Sequence, residues 1–147
     1  MSTQVSVAQP ALEDKVRRYW QEAWTEARVD YLTEFYAPSF RENDATLTPA
    51  EFGAGIIGWR KKFPDFAVTV DRIWSWPGGV ATRVTFTGTH LGDFTVLPAT
   101  GRETRQGGLD IFEFDGDRVV QHWHETDHSV MWDQLGAVVV PGADPAS

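Results

Sequence analysis

Phe66-Ala67-Val68-Thr69-Val70-Asp71-Arg72-Ile73-Trp74, Pro77-Gly78-Gly79 and Val80-Ala81-Thr82-Arg83-Val84-Thr85-Phe86-Thr87-Gly88-Thr89-His90 decide the architecture of this chain. Phe66, Val68, Val70, Arg72 and Trp74 alternate with Ala67, Thr69, Asp71 and Ile73, and Val80 to His90 repeats the same period of two. A period of two puts successive side chains on opposite faces, so these are strands, and Pro77-Gly78-Gly79 turns one back on the other. Downstream, Leu109-Asp110-Ile111-Phe112-Glu113-Phe114 ends a third strand, and Asp115-Gly116 is a strong hairpin signal into Val119 to Thr126.

Upstream the period is helical. Leu12, Val16, Tyr19, Ala23 and Ala27 form one apolar stripe, predicting a helix over 12–27 with Trp20 and Trp24 on its flank. Asp30 can cap a short helix from Tyr31 to Tyr36 that stops before Pro38. Thr48, Pro49 and Glu51 read as N-cap, first helical residue and capping-box partner of a third helix. Its inner face is Phe52, Ile56, Trp59 and Phe63, and Pro64 ends it. Arg60, Lys61 and Lys62 suit the C-terminal end of its dipole. Three helices followed by an antiparallel sheet predict an α+β domain with the helices on one curved face.

If Asp115-Gly116 makes a two-residue turn, even-numbered residues before it share a face with odd-numbered residues after it. Asp110, Phe112, Val119, Gln121, Trp123, Glu125 and Asp127 then line one face, and His122 and His124 the other. Aromatics mixed with carboxyl groups suit the wall of a cavity.

Among 147 residues there are 7 Trp, 9 Phe and 3 Tyr, a surplus suited to pocket walls or interfaces because Trp is hard to bury completely. A net charge of -8 offers no general positive field for phosphate backbones, so nucleic acid is not an expected partner. No apolar run approaches the roughly 20 residues of a membrane span. Without Cys, disulfides, thiolate nucleophiles and Cys-ligated metals are excluded. No nucleophile elbow, GxGxxG or P-loop is present. Met1 to Pro10 is polar and lacks the parts of a signal peptide, which leads to an expectation of a cytoplasmic protein. The expected organisation is a disordered tail over 1–10, one domain over 11–138 and a flexible tail over 139–147.

Gly88-Thr89-His90-Leu91-Gly92-Asp93-Phe94, Pro98-Ala99-Thr100-Gly101-Arg102, Asp110-Ile111-Phe112, Gly116-Asp117-Arg118-Val119-Val120-Gln121-His122-Trp123, Asp127 and Gln134-Leu135-Gly136 together resemble the SnoaL-like polyketide cyclases of the NTF2-like superfamily. Phe63-Pro64-Asp65-Phe66 also fits. The resemblance implies a cone-shaped α+β barrel with a deep apolar pocket, three N-terminal helices packed on a curved antiparallel sheet, and no cofactor. It implies aldol-type closure of a polyketide-like ring with Asp127 as general acid/base. Ala99 and Val96 depart from the more usual Pro and Gly and reshape the loop beside the pocket. The ketosteroid isomerases of the same superfamily are a second comparison: Tyr19 and Asp110 are similar to their oxyanion residues, but Asn43 stands where their base would be, and an amide takes no proton.

Two roles fit Asp127. On the residues alone an N-cap for a helix over Val130–Leu135 is the stronger, and the resemblance turns the expectation to catalysis. His90 is the expected catalytic partner, its alternative being a core histidine bonded to a carbonyl. Expected substrate contacts are Tyr19, Trp20, Asn43, Trp59, Phe86, Asp110, Phe112, Trp123 and Glu125. Along straight strands Asp110 would stand ~13–20 Å from Asp127, so one shared site requires strong curvature. Epoxide opening is the alternative reaction, needing two carboxyl groups in reach of one point, and a non-catalytic binding module with a plugged pocket is the alternative class. No metal is expected, because parity sets His122 and His124 opposite Asp127. The expected partners are a hydrophobic small-molecule substrate and a second copy of the chain, as homodimer or tetramer. The outer face carrying Leu109, Ile111, His122 and His124 would make that contact and loosen it at low pH.

Overall fold

The computed structural model describes residues 7–137. The C-terminal tail expected over 139–147 lies outside the described residues, as do residues 1–6 of the N-terminal one, and Pro10 already begins a helix.

Pro10–Arg18 form α1, which runs directly into a π-helical segment, Tyr19–Thr25. The single helix expected over 12–27 is therefore two geometries. Glu26 N–H bonds the Gln21 carbonyl five residues back at 2.9 Å, and Ala27 ends the run at φ 57. Five-residue spacing brings Tyr19 and Trp24 together, and such segments recur at functional sites. A 3₁₀ turn, Val29–Tyr31, leads into α2, Leu32–Phe35. Asp30 is not its cap: no side-chain cap bond is made, and the Asp30 carbonyl instead accepts from the Thr33 hydroxyl at 2.9 Å.

The third helix, α3 (Pro49–Lys62), starts as its sequence dictates. Glu51 N–H donates to Thr48 Oγ1 at 3.2 Å, and Thr48 N–H donates to Glu51 Oε1 at 3.0 Å. Arg60 donates to the carbonyls of Trp24, Pro64 and Phe66, a structural role that ties α3 to the π segment.

The sheet has six strands: β1 (Tyr36–Glu42), β2 (Ala45–Leu47), β3 (Ala67–Trp76), β4 (Gly79–Thr89), β5 (Glu103–Asp115) and β6 (Arg118–Thr126), followed by α4 (His128–Gln134). Their spatial order is β2-β1-β6-β5-β4-β3. The sheet is thus open, with β2 and β3 at its edges, where a closed barrel was expected. It is also mixed, because β1 runs parallel to β6. β1 escapes a local reading since Pro38 argues against a central strand. The β1–β6 register breaks between Tyr36 and Arg41, so Pro38 sits where no ladder bond is needed. Val16, Tyr19, Leu32, Phe35 and Ile56 from the helices bury against Val80, Val84, Phe112 and Val119 of the sheet.

One irregularity rearranges the functional face. Phe114 pairs with Val119, but Glu113 pairs with Gln121, so Val120 is an extra residue in β6. A bulge of this kind changes the parity of everything beyond it. His122 therefore opposes Phe112 and His124 opposes Asp110, both facing the helices. Trp123 pairs with Ile111 and Glu125 with Leu109 on the outer surface, where Trp123 is 42% exposed. The expected face is thereby corrected: Trp123 and Glu125 leave it, and His122 and His124 join it. The pH-sensitive outer contact assigned to the two histidines falls with this. The outer surface carries instead a row of Trp74, Ala81, Ile111 and Trp123 across four strands, with Leu109 beside it.

Candidate active site

A cavity of about 320 Å³ opens between α3, the π segment and the inner face of the sheet. That lies at the lower end of the range for small-molecule sites. Its walls are mostly Trp20, Trp24, Phe52, Ile56, Phe66 and Phe86; its polar groups are Tyr19, Glu42, Gln106, Asp110, His122 and His124, with Glu51 and His128 at its margins. Among the described residues, no side chain plugs the pocket.

Asp110 is the centre of the polar end. It is 1% exposed, and its Oδ2 accepts from His122 Nε2 at 2.5 Å and from His124 Nδ1 at 2.8 Å. Burial alone would push its carboxyl up, but the two histidine bonds outweigh this and hold it below the ordinary value. For His124 burial opposes the charge, and the hydrogen bond and charge of Asp110 overcome that, so its imidazole is raised. With both ring protons directed at Oδ2, the network assigns His124 Nε2 as the nitrogen left to meet a ligand. Asp110 Oδ1 is buried without a partner among the described residues.

A second line of groups supports this centre. His122 Nδ1 lies 2.7 Å from the Tyr36 hydroxyl, which lies 3.1 Å from the Tyr19 hydroxyl, and Trp24 Nε1 donates to Tyr19 at 2.9 Å. Tyr36 has one proton for two neighbours; where Nδ1 takes it, Tyr19 turns its own proton to Tyr36 or to a ligand. Burial pushes both phenols well above their ordinary value, so they act as hydrogen-bond donors and not as anions.

Asn43, at φ 49 in the β1–β2 turn, serves the site from behind. His124 N–H donates to its Oδ1 at 2.9 Å, and its Nδ2 donates to the His124 carbonyl at 3.2 Å. The amide continues the ladder that β1 leaves at Glu42 and fixes the backbone that carries the imidazole.

Of the expected residues, Tyr19, Trp20, Trp59, Phe86 and Asp110 are brought together on the cavity. Phe112 is fully buried beneath it, with its ring 4.3 Å from His122, and Asn43 acts through His124. His90 is buried between Phe63 and Phe94, with Thr100 Oγ1 at 3.0 Å, and does not line the cavity. Asp127 is exposed and accepts from Val130 N–H at 3.3 Å as the N-cap of α4, outside the cavity wall. Asp110 is brought together with neither Asp127 nor Glu125, so the pair of carboxyl groups required for epoxide opening does not form from them.

Tyr36, Glu42, Gln106, His122 and His124 were missed. Continuing the alternation of β5 back through Gly108, Gln106 and Thr104 would have found Gln106, while the histidines needed the bulge. Asp110, His122 and His124 are also a group that could surround a cation, their ligand atoms within 4.8 Å of one another. Both histidine nitrogens facing Asp110 carry protons in this arrangement, so a metal would have to displace them.

A small α+β cone of helices on a curved sheet, with a titratable cluster at the base of an apolar cavity, defines an NTF2-like domain. Residues 14–135 match the sequence profile of the SnoaL-like polyketide cyclases, and the chain belongs to that family. Similar solved structures include TsrD from Streptomyces laurentii, 24% identical with a TM-score of 0.80 over 92% of this chain and 100% of that one. IdmH from Streptomyces antibioticus, a candidate polyketide cyclase, is 27% identical with a TM-score of 0.74 over 86% of this chain and 99% of its own. A SnoaL-like polyketide cyclase from Agrobacterium tumefaciens is 19% identical, with a TM-score of 0.74 over 85% and 98%. No curated protein matches the sequence.

Proposed function

We propose that this protein is an enzyme that closes a ring by intramolecular aldol-type attack within a hydrophobic, oxygenated, polyketide-like substrate. The observation that carries the reading is the Asp110–His124 pair at 2.8 Å, at the polar end of an apolar cavity. His124 Nε2 takes the acidic C–H proton beside a substrate carbonyl, and Asp110 stabilises the imidazolium that results. Tyr19 donates to the enolate oxygen. The enolate carbon bonds to a second carbonyl carbon, and the proton on His124 passes to the new alkoxide. The step is redox-neutral and needs proton transfer alone. A single base supplies only ~10²–10⁴ in rate, so the aromatic walls must fold the chain for the rest.

The test is a screen for turnover of 1,3-diketone and polyketide-like ketones, followed by variants. His124→Gln and Asp110→Asn should each lower kcat at least a hundredfold, with chelator leaving the wild type unchanged. Near-normal turnover in His124→Gln, or its loss in Asp127→Asn alone, would overturn the assignment, and chelator-sensitive turnover would give the cluster to a metal.

A further inference from the structure

At the end of the cavity away from Asp110, two buried polar atoms have no partner among the described residues. Gln106 is 7% exposed, and its Oε1 accepts no hydrogen bond. Trp59 Nε1 donates none, whereas the Trp20 indole reaches Thr82 Oγ1 at 3.2 Å and the Trp24 indole reaches Tyr19 at 2.9 Å. Both Trp59 and Gln106 line the cavity. Buried polar groups are ordinarily paired, so a donor and an acceptor left open on one cavity wall call for a ligand that supplies both.

Two aromatic rings connect them along the cavity wall. Gln106 opposes Phe86 across β4 and β5; Phe86 stacks on Phe66 with ring centroids 5.6 Å apart, and Phe66 meets Trp59 edge-on at 6.0 Å. Gln106 precedes Asp110 by four residues on the inner face of β5, about 13 Å along the strand. Only Gly108 lies between them on that face, and the Phe86 ring covers it so closely that a Cβ there would stand 2.6 Å from Cε2. The two polar ends are thus joined by a flat apolar floor.

We propose that Trp59 and Gln106 form a second polar subsite that holds a hydroxyl group of the substrate. Its oxygen accepts from Trp59 Nε1 and its proton goes to Gln106 Oε1. A carbonyl would answer Trp59 alone and an ammonium Gln106 alone; an alcohol or phenol answers both. Resting on the acid/base reading above for the carbonyl end, this names the substrate class: a ring ketone with a hydroxyl at its opposite end. In 6-hydroxy-1-tetralone those oxygens are roughly 6 Å apart; with the carbonyl accepting from Tyr19 and the hydroxyl held at Gln106, a hydrogen bond of about 2.8 Å at each end gives a reach of roughly 12 Å, comparable with the ~13 Å between Asp110 and Gln106 along β5.

Calorimetric titration with 6-hydroxy-1-tetralone and with 1-tetralone tests it. The hydroxyl should tighten binding to the wild type about tenfold. That preference should fall below about twofold in Gln106→Leu and in Trp59→Phe, and persist in Asp110→Asn. Gln106→Leu should also leave the melting temperature of the ligand-free protein unchanged or raised, because it removes an unpaired buried carbonyl. Equal binding of the two ketones, as when water fills the subsite, or a preference unaltered in both variants, overturns the subsite while leaving the acid/base reading standing. Binding of neither ketone overturns both. A large loss of stability in Gln106→Leu would assign the amide to structure.

Discussion

His124 stands directly across from Asp110 on the neighbouring strand, and its Nδ1 donates to Asp110 Oδ2 at 2.8 Å. Cross-strand neighbours this close are held by the sheet itself, so the pair needs no flexible loop to assemble. Asn43 fixes the His124 backbone, and the Tyr36–His122 bond steadies the other side of the carboxylate.

Stability should be greatest in weakly acidic solution. The folded pKa of His124 is raised above 6.5, so its contribution is complete below 6.5 and lost as pH rises through the higher folded value. The folded pKa of Asp110 is depressed below 3.8, so its contribution is complete above 3.8 and lost as pH falls through the lower folded value. Urea unfolding at several pH values should therefore show a plateau between about 4 and 6.5, declining on either side. In His124→Gln the alkaline decline should flatten; an unchanged slope there would detach the pair from stability.

Asn43→Ala should impair both folding and catalysis. It removes two hydrogen bonds to the His124 backbone and puts alanine at φ 49, a cost of about 1–3 kcal/mol. Asn43→Gly keeps the turn but loses the amide. If kcat falls equally in both variants while glycine recovers part of the stability, the amide positions His124; full activity in the glycine variant would make it a turn residue only.

Gly108→Ala should disturb the cavity floor without touching a polar group. The new methyl would meet the Phe86 ring, so the ring must tilt into the pocket, at about 1–3 kcal/mol. Affinity for bicyclic ketones should fall while fluorescence and circular dichroism report a native fold. Unaltered affinity would show that the ring shifts away from the ligand.

Asp127→Ala should cost about 0.5–1 kcal/mol through the lost cap of α4, and Asp127→Asn, which keeps an acceptor oxygen, close to nothing. Neither should alter the pH profile of turnover. A profile displaced by either substitution would return Asp127 to the chemistry.

Much of the fold is local and can be read without coordinates. Thr48, Pro49 and Glu51 satisfy one another within a single helical turn, so the capping box follows from the residues alone. Gly78 at φ 83 and Gly116 at φ 62 take backbone conformations that only glycine adopts without strain, which is why both hairpins were legible. The alternation of β3, β4 and β5 likewise identifies each strand's inner residues, Asp110 and Phe86 among them. The candidate site was half legible, its aromatic wall and Asp110 but not its histidines. The side on which His122 and His124 emerge depends on Val120 being left over when β6 pairs with β5, a choice made by the partner strand. Pro38 is acceptable in β1 only because the parallel ladder is broken there, and it is the π segment's five-residue spacing that lets Trp24 reach Tyr19. Propensity and periodicity act over a few neighbouring residues, whereas register across strands is decided by burial and hydrogen bonding between segments far apart in sequence, and in this protein that register places the acid/base pair.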